Sequence, residues 1–178
     1  MKTFKIVGIV VMALLIILGI VIAMQPSEAH LEKSIVIHAP AASIFPEISN
    51  FKNFNTWSPW SKMDPDVKHT YEGTDGTVGS RMNWDGPKTG KGSQWIEELE
   101  VDKRVKCGMS FEGFEGTLAS EFILEPEGAG TKVTWTYDGP NKGLAGKATW
   151  IIMGAMISSQ FDQGLKDLKS LVESRPQQ

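Results

Sequence analysis

The segment Thr131-Lys132-Val133-Thr134-Trp135-Thr136-Tyr137 alternates side-chain character along its length: Val133, Trp135 and Tyr137 share one face, against Lys132, Thr134 and Thr136. Period-two alternation of this kind marks a strand with one covered face. Just upstream, Leu118, Ser120, Phe122 and Leu124 oppose Thr117, Ala119, Glu121, Ile123 and Glu125, and Glu127-Gly128-Ala129-Gly130 supplies a turn between the two runs. Val105, Cys107, Met109 and Phe111 repeat the pattern, and Ser80, Met82 and Trp84 form a half-buried face against Arg81 and Asn83. Further turn signals fall at Thr74-Asp75-Gly76, Asp85-Gly86-Pro87 and Glu112-Gly113. From Val67 to Asp138 the chain therefore reads as about six consecutive strands of an antiparallel sheet. Its apolar face needs a cover.

The C-terminal segment supplies one. From about Leu144 to Ser174 the pattern turns helical, with Phe161, Leu165, Leu168 and Val172 spaced i, i+4, i+7, i+11. Asp162, Lys166, Asp167, Lys169 and Glu173 occupy the other side. The first half differs: Ala148 to Ile157 is apolar almost all round, yet too short to span a membrane. Such a half-helix is expected to be shielded on most sides, or to face something apolar other than its own sheet. Upstream, Leu31 to His38 reads as a first strand, followed by two short helices. Ala41 to Ser49 has apolar residues at Ile44, Phe45 and Ile48, with Pro46 predicting a break or a start. Phe54-Asn55-Thr56-Trp57-Ser58-Pro59-Trp60 then reads as a loop, with Trp57 extended near the residue preceding proline. The fold class is α+β: a curved antiparallel sheet wrapped around one long C-terminal helix.

Residues 1–25 stand apart. Lys2 and Lys5 precede Ile6 to Met24, 19 residues without a charge. As a helix this run is about 28 Å long, close to the roughly 30 Å hydrocarbon core of a bilayer. It reads as a single-pass anchor in an inner or plasma membrane. The alternative is a cleaved signal peptide with Ser27-Glu28-Ala29 as a loose cleavage site, which would leave a secreted or periplasmic protein. The flanking lysines place the N-terminus in the cytoplasm and the remainder outside it. Residues 26–30 form a polar linker, 31–174 the folded domain and 175–178 a tail.

Lys2 and Lys5 are two of the 18 basic residues, so the exported part sets 16 against 21 acidic ones and carries about −5. That balance, without a basic stripe, argues against nucleic acid as a partner. The single Cys107 forms no internal disulfide, and His30, His38 and His69 are too scattered to suggest a metal site. No metal or cofactor is expected.

Four local matches carry a family resemblance. Ser34 to Ala41 followed by Ile44-Phe45 is similar to an opening strand, Ala-Pro and helix; Phe51 to Trp60 resembles the segment F-x-x-W-x-x-W-S-P-W, with Phe54 in place of the first Trp. Thr131 to Trp135 is similar to a T-x-V-x-W strand, and Gly164 to Lys169 resembles the G-L-x-x-L-K of a last helix. In this order they resemble the helix-grip fold of the START-like (SRPBCC) superfamily, in its polyketide cyclase/dehydrase-like branch. The resemblance implies a cavity between sheet and long helix that takes an apolar or amphipathic small molecule. It implies no fixed chemistry, because fold alone does not specify activity.

The candidate ligand-binding residues are Trp57, Trp60, Met82, Trp84, Met109, Phe111, Phe122, Trp135, Met153 and Ile157, with Met156 beside them. Thioethers and indoles suit an adaptable apolar pocket, although the same residues also suit an ordinary filled core. Glu97 and Glu98 are the candidate acid–base groups, since neighbours on a regular strand point to opposite faces and one would enter the cavity. Arg81 could pair with either, and a bulge would leave both in solvent. His38 and His69 are weaker proton-transfer candidates. Three functions stay open: binding of a hydrophobic small molecule or lipid near the membrane, an interaction module with a filled core, and a cyclase-type enzyme. Likewise Trp57 and Trp60 read either as a core plug or as a gate over a cavity mouth.

Overall fold

The computed structural model describes residues 2–114 and 116–175; residues 176–178 of the tail lie outside them. The elements run α1 (Lys2–Met24), β1 (Glu28–Ile37), α2 (Ala41–Ser49), α3 (Phe51–Trp57), α4 (Pro59–Met63), β2 (Lys68–Glu72), β3 (Arg81–Gly86), β4 (Gly90–Glu100), β5 (Arg104–Phe111), β6 (Leu118–Glu127), β7 (Gly130–Pro140) and α5 (Gly143–Glu173). Among the described residues, seven strands form one antiparallel sheet in the order β1-β7-β6-β5-β4-β3-β2. The first strand pairs with the last, so β1 and β7 lie together under α5. Strand β1 starts three residues before the segment that the sequence suggested, so the chain between α1 and the sheet is Gln25 to Ser27.

In the hairpin β6–β7 the inward residues of β6 follow the alternation, whereas in β7 Thr134 and Thr136, expected on the open face, are buried too and Tyr137 is half-buried. Leu118, Ser120, Phe122 and Leu124 are buried on one face, as are Val133 and Trp135 in β7. They meet the second half of α5, where Ile157, Phe161, Gly164, Leu165, Leu168 and Val172 are buried. At the centre, the Trp135 indole is sandwiched between Phe122, at 4.8 Å, and Phe161, at 3.9 Å and 9° from parallel. Its ring nitrogen donates to Ser120 Oγ at 2.9 Å, so the buried N–H is satisfied. Gly164 lets the helix come this close: a Cβ there would lie 2.9 Å from Trp135 and 3.0 Å from Pro59.

Two expectations are revised around Pro59. Three short helices stand where two were expected, and the FNTWSPW segment is helical rather than a loop. The Asn50 side chain accepts from the backbone N–H groups of Lys52 and Asn53, which starts α3 at Phe51. Ser58, the residue before proline, takes the extended conformation (φ −53°, ψ 128°), and Pro59 then opens α4. It is thus Ser58, not Trp57, that is extended. Helix α2 runs through Pro46 without breaking.

Asp64, at the end of α4, is fully buried. Its Oδ2 accepts from the backbone N–H of Lys88 and Thr89 and from the Thr89 hydroxyl, all at 2.9 Å. One carboxylate thereby ties the short helices to the β3–β4 turn, and a Cβ on Gly86 would run into it. Burial pushes this carboxyl up, but the hydrogen bonds from Thr89 and Lys88 and the nearby Lys88 charge outweigh it and hold Asp64 below the ordinary 3.8. A depressed carboxylate stabilises the fold above its unfolded value, and that contribution is lost as pH falls through the folded value. The melting temperature of Asp64→Asn is therefore expected to lie below wild type at pH 7, with the gap narrowing below about pH 4, as scanning calorimetry at the two pH values would show. Trp57, 2% exposed, packs edge-on against Phe54 and Trp135 and donates to the Glu47 carbonyl at 3.0 Å. Trp57→Ala is expected to cost about 3–5 kcal/mol in chemical denaturation.

Candidate functional site

Beyond Phe161 the first half of α5 diverges from the curled ends of β2–β5, and a cavity of about 640 Å³ opens between them. That is within the roughly 300–1,000 Å³ usual for small-molecule sites. The floor is Met82 and Trp84 of β3, Gln94 of β4 and Met109 and Phe111 of β5; one end is Trp135 and Phe161, and the roof is Trp150, Met153, Met156 and Ile157 of α5. The Trp84 ring lies over Gly92, a position where a Cβ would collide with it, and meets Phe111 edge-on at 5.2 Å. Tyr137 and Trp150 stack at 5.4 Å and 12°, joining β7 to the roof. Phe111, Phe114, Met153 and Met156 line the cavity and are exposed, so they mark its mouth.

Of the residues singled out from sequence, Trp60, Met82, Trp84, Met109, Phe111, Trp135, Met153 and Ile157 line the cavity, as does Met156. Trp57 and Phe122 do not. Both are buried in the aromatic cluster behind the cavity wall, because α3 directs Trp57 inward and Phe122 is spent on the Trp135 stack. The seven-residue Trp motif is therefore divided: Trp57 is a core plug and Trp60 is cavity wall.

For Glu97 and Glu98 the structure shows the bulge that the sequence left open. Strand β4 bulges between Ile96 and Glu98, which breaks the alternation and leaves both Glu97 and Glu98 exposed. Glu97 accepts from the Trp95 ring nitrogen at 3.2 Å. Glu98 pairs with Lys106, at 2.8 Å, and with Arg104; hydrogen bonding from Lys106 is the main reason its carboxyl sits below the usual range. Arg81 joins neither. Its guanidinium lies 4.5 Å over the Trp95 ring and donates to Ser93 Oγ at 2.9 Å.

The polar groups that do line the cavity carry little sequence signal. Asn55 sits on α3, which sequence suggested to be a loop; its amide donates to Tyr71 Oη, and its Oδ1 accepts from Ser61 Oγ at 3.2 Å. His69 pairs across the ladder with Trp84 and so shares its inward face. Burial lowers its imidazole below the ordinary 6.5, so the ring entering the apolar space is neutral at physiological pH. Gln94 is buried beside Cys107, whose thiol is pushed up to about 12 chiefly by its own burial. His38 is exposed at the end of β1, away from the cavity.

The family described as "Polyketide cyclase / dehydrase and lipid transport" matches residues 28–173, the whole sheet and the long helix. The chain belongs to this family. Similar solved folds include a protein from Chromobacterium violaceum (18% identity, 85% of this chain and 100% of that one, TM-score 0.58). Ara h 8.0201 is similar at 16% identity, 83% and 99% coverage and TM-score 0.61. The Aha1 dimer from Colwellia psychrerythraea is similar at 19% identity, 82% and 97% coverage and TM-score 0.62. Identities this low establish a shared fold, the helix-grip architecture, and the 266 matching chains show how widely it is used. No curated protein sequence matches significantly.

The Cys107 environment makes a direct prediction. Thiolate is the reactive species, so a disulfide reagent at pH 8 should leave Cys107 unmodified in the folded protein and titrate one thiol after denaturation. Stoichiometric reaction under native conditions would contradict the buried placement.

Proposed function

We propose that this protein is a membrane-tethered carrier or sensor domain that binds a hydrophobic or amphipathic small molecule, a lipid or lipid-like compound, in the cavity under α5. One observation carries this reading: an apolar chamber of about 640 Å³, walled by two Trp of the sheet, one of α4 and one of α5, in a family described by lipid transport. Apolar lining supplies affinity through the area removed from water, while Asn55, His69, Gln94 and Tyr137 offer a few neutral hydrogen-bonding groups for a polar end. Binding is favoured over chemistry because the two glutamates that could have served as acid and base face solvent. Helix α1, uncharged from Ile6 to Met24 and unburied by the domain, is read as the tether.

The test uses a fragment beginning at Gln25, since α1 adds nothing to the core. A fluorescent fatty acid titrated into it is expected to bind saturably, and native mass spectrometry to find co-purified lipid. Met109→Trp puts bulk into the chamber and should weaken the probe at least about tenfold, equivalent to about 1.4 kcal/mol. Neither saturable binding nor any retained lipid would overturn the proposal.

A further inference from the structure

The roof of the cavity and the tether meet. Lys147, one turn into α5, donates from Nζ to the Ala23 carbonyl at the end of α1, at 3.0 Å. Asn141 donates from its amide to the Pro26 carbonyl at 2.9 Å and from its backbone to Ser27 at 2.8 Å. The exit of α1 is thus held against the start of α5, with three residues between α1 and the sheet.

The surface beside that junction is apolar. Leu144 is 65% and Ile152 74% exposed, with Ile151 beside them. Leu144, Lys147 and Ile151 are spaced i, i+3, i+7 and share the helix face that touches α1. Thr149, Met153 and Met156 are spaced i, i+4, i+7 and form the opposite face, which lines the cavity, and Ile152 lies between the two faces beside Met156. Phe114, 43% exposed, sits across the mouth near Pro140 and Gly116. From Lys142 to Gln160 the chain carries two lysines and no carboxylate, whereas the exported part as a whole is acidic. An apolar stripe without a carboxylate, next to the end of a bilayer-length helix, matches a lipid surface in polarity.

We propose that the first half of α5, through Leu144, Ile151 and Ile152, lies in the bilayer interface beside α1, so that the cavity mouth between Met153, Met156 and Phe114 opens directly onto the leaflet. Ligand then enters from the membrane without crossing water. This rests on α1 being a retained anchor, and it accounts for the half-helix that the sheet leaves uncovered.

The experiment uses the full chain in phosphatidylcholine/phosphatidylglycerol nanodiscs, its mass first confirming that α1 is present. Ile152→Cys, and separately Glu127→Cys at the far β6–β7 turn, are labelled with an environment-sensitive fluorophore; the buried native thiol does not compete. Nitroxide-bearing lipid is expected to quench the 152 label several-fold more than the 127 label. Equal, weak quenching at both sites would overturn the proposal. So would interchain disulfide formation by Ile152→Cys without lipid quenching, which would make the stripe a contact between copies. Leu144→Asp/Ile152→Asp should slow uptake of a pyrene fatty acid from vesicles at least about tenfold, with affinity for the same probe added from solution unchanged. An unchanged vesicle rate would also overturn it. Failure of the probe to bind from solution would refute the carrier reading, leaving the quenching result to stand separately, whereas loss of α1 from the mature chain would refute the tether and this arrangement together.

Discussion

The structure hangs on the Trp135 indole. Three parts of the chain that are remote in sequence converge on it: Phe122 on the neighbouring strand, Phe161 on α5, and Trp57 with Phe54 on α3. Offset and edge-on aromatic contacts are directional as well as apolar. They therefore fix where the long helix crosses the sheet, besides holding it there. Gly164 allows the approach, and the Ser120 hydroxyl satisfies the one polar atom that the stack buries. C-terminal to Phe161, the inward stripe Gly164, Leu165, Leu168 and Val172 of α5 packs as core.

Most of what lies N-terminal to Ile157 is left over. With the helix pinned at Phe161, the stretch from Gly143 to Met156 extends past the core and roofs the cavity. The hollow thus lies between this stretch of α5 and strands β3 to β5. Asp64 keeps it from collapsing from the side, by clamping the short helices to the β3–β4 turn. The same geometry explains why the apolar half-helix is exposed, and why a second apolar medium is the natural thing to meet it.

Much of this was legible. Alternation identified β3, β5, β6 and β7 and their inward residues, since a half-buried strand admits only one periodicity. The i, i+4, i+7 stripe identified the half of α5 that is core, and the all-round apolar half proved to be the part the sheet does not cover. What stayed open or failed did so for local reasons. Whether Glu97 or Glu98 turned inward was left open, because the single extra residue in β4 that turns both outward leaves no mark in hydrophobic periodicity. The Asn50 cap made a helix of FNTWSPW despite its proline, because the extended pre-proline conformation could be placed between two helices rather than across one.

Sequence by itself determined the classes: strand or helix, inward or outward, apolar N-terminal helix or folded domain, and the family to which residues 28–173 belong. These follow from composition and short-range periodicity, which are properties of a linear chain. Only the tertiary structure decided that Trp57 is core while Trp60 is cavity wall, that His69 and Asn55 enter the chamber, and that the start of α5 is held to the end of α1. Each depends on how one helix crosses one sheet, and the crossing is set by contacts between residues up to 81 positions apart, which no local pattern encodes.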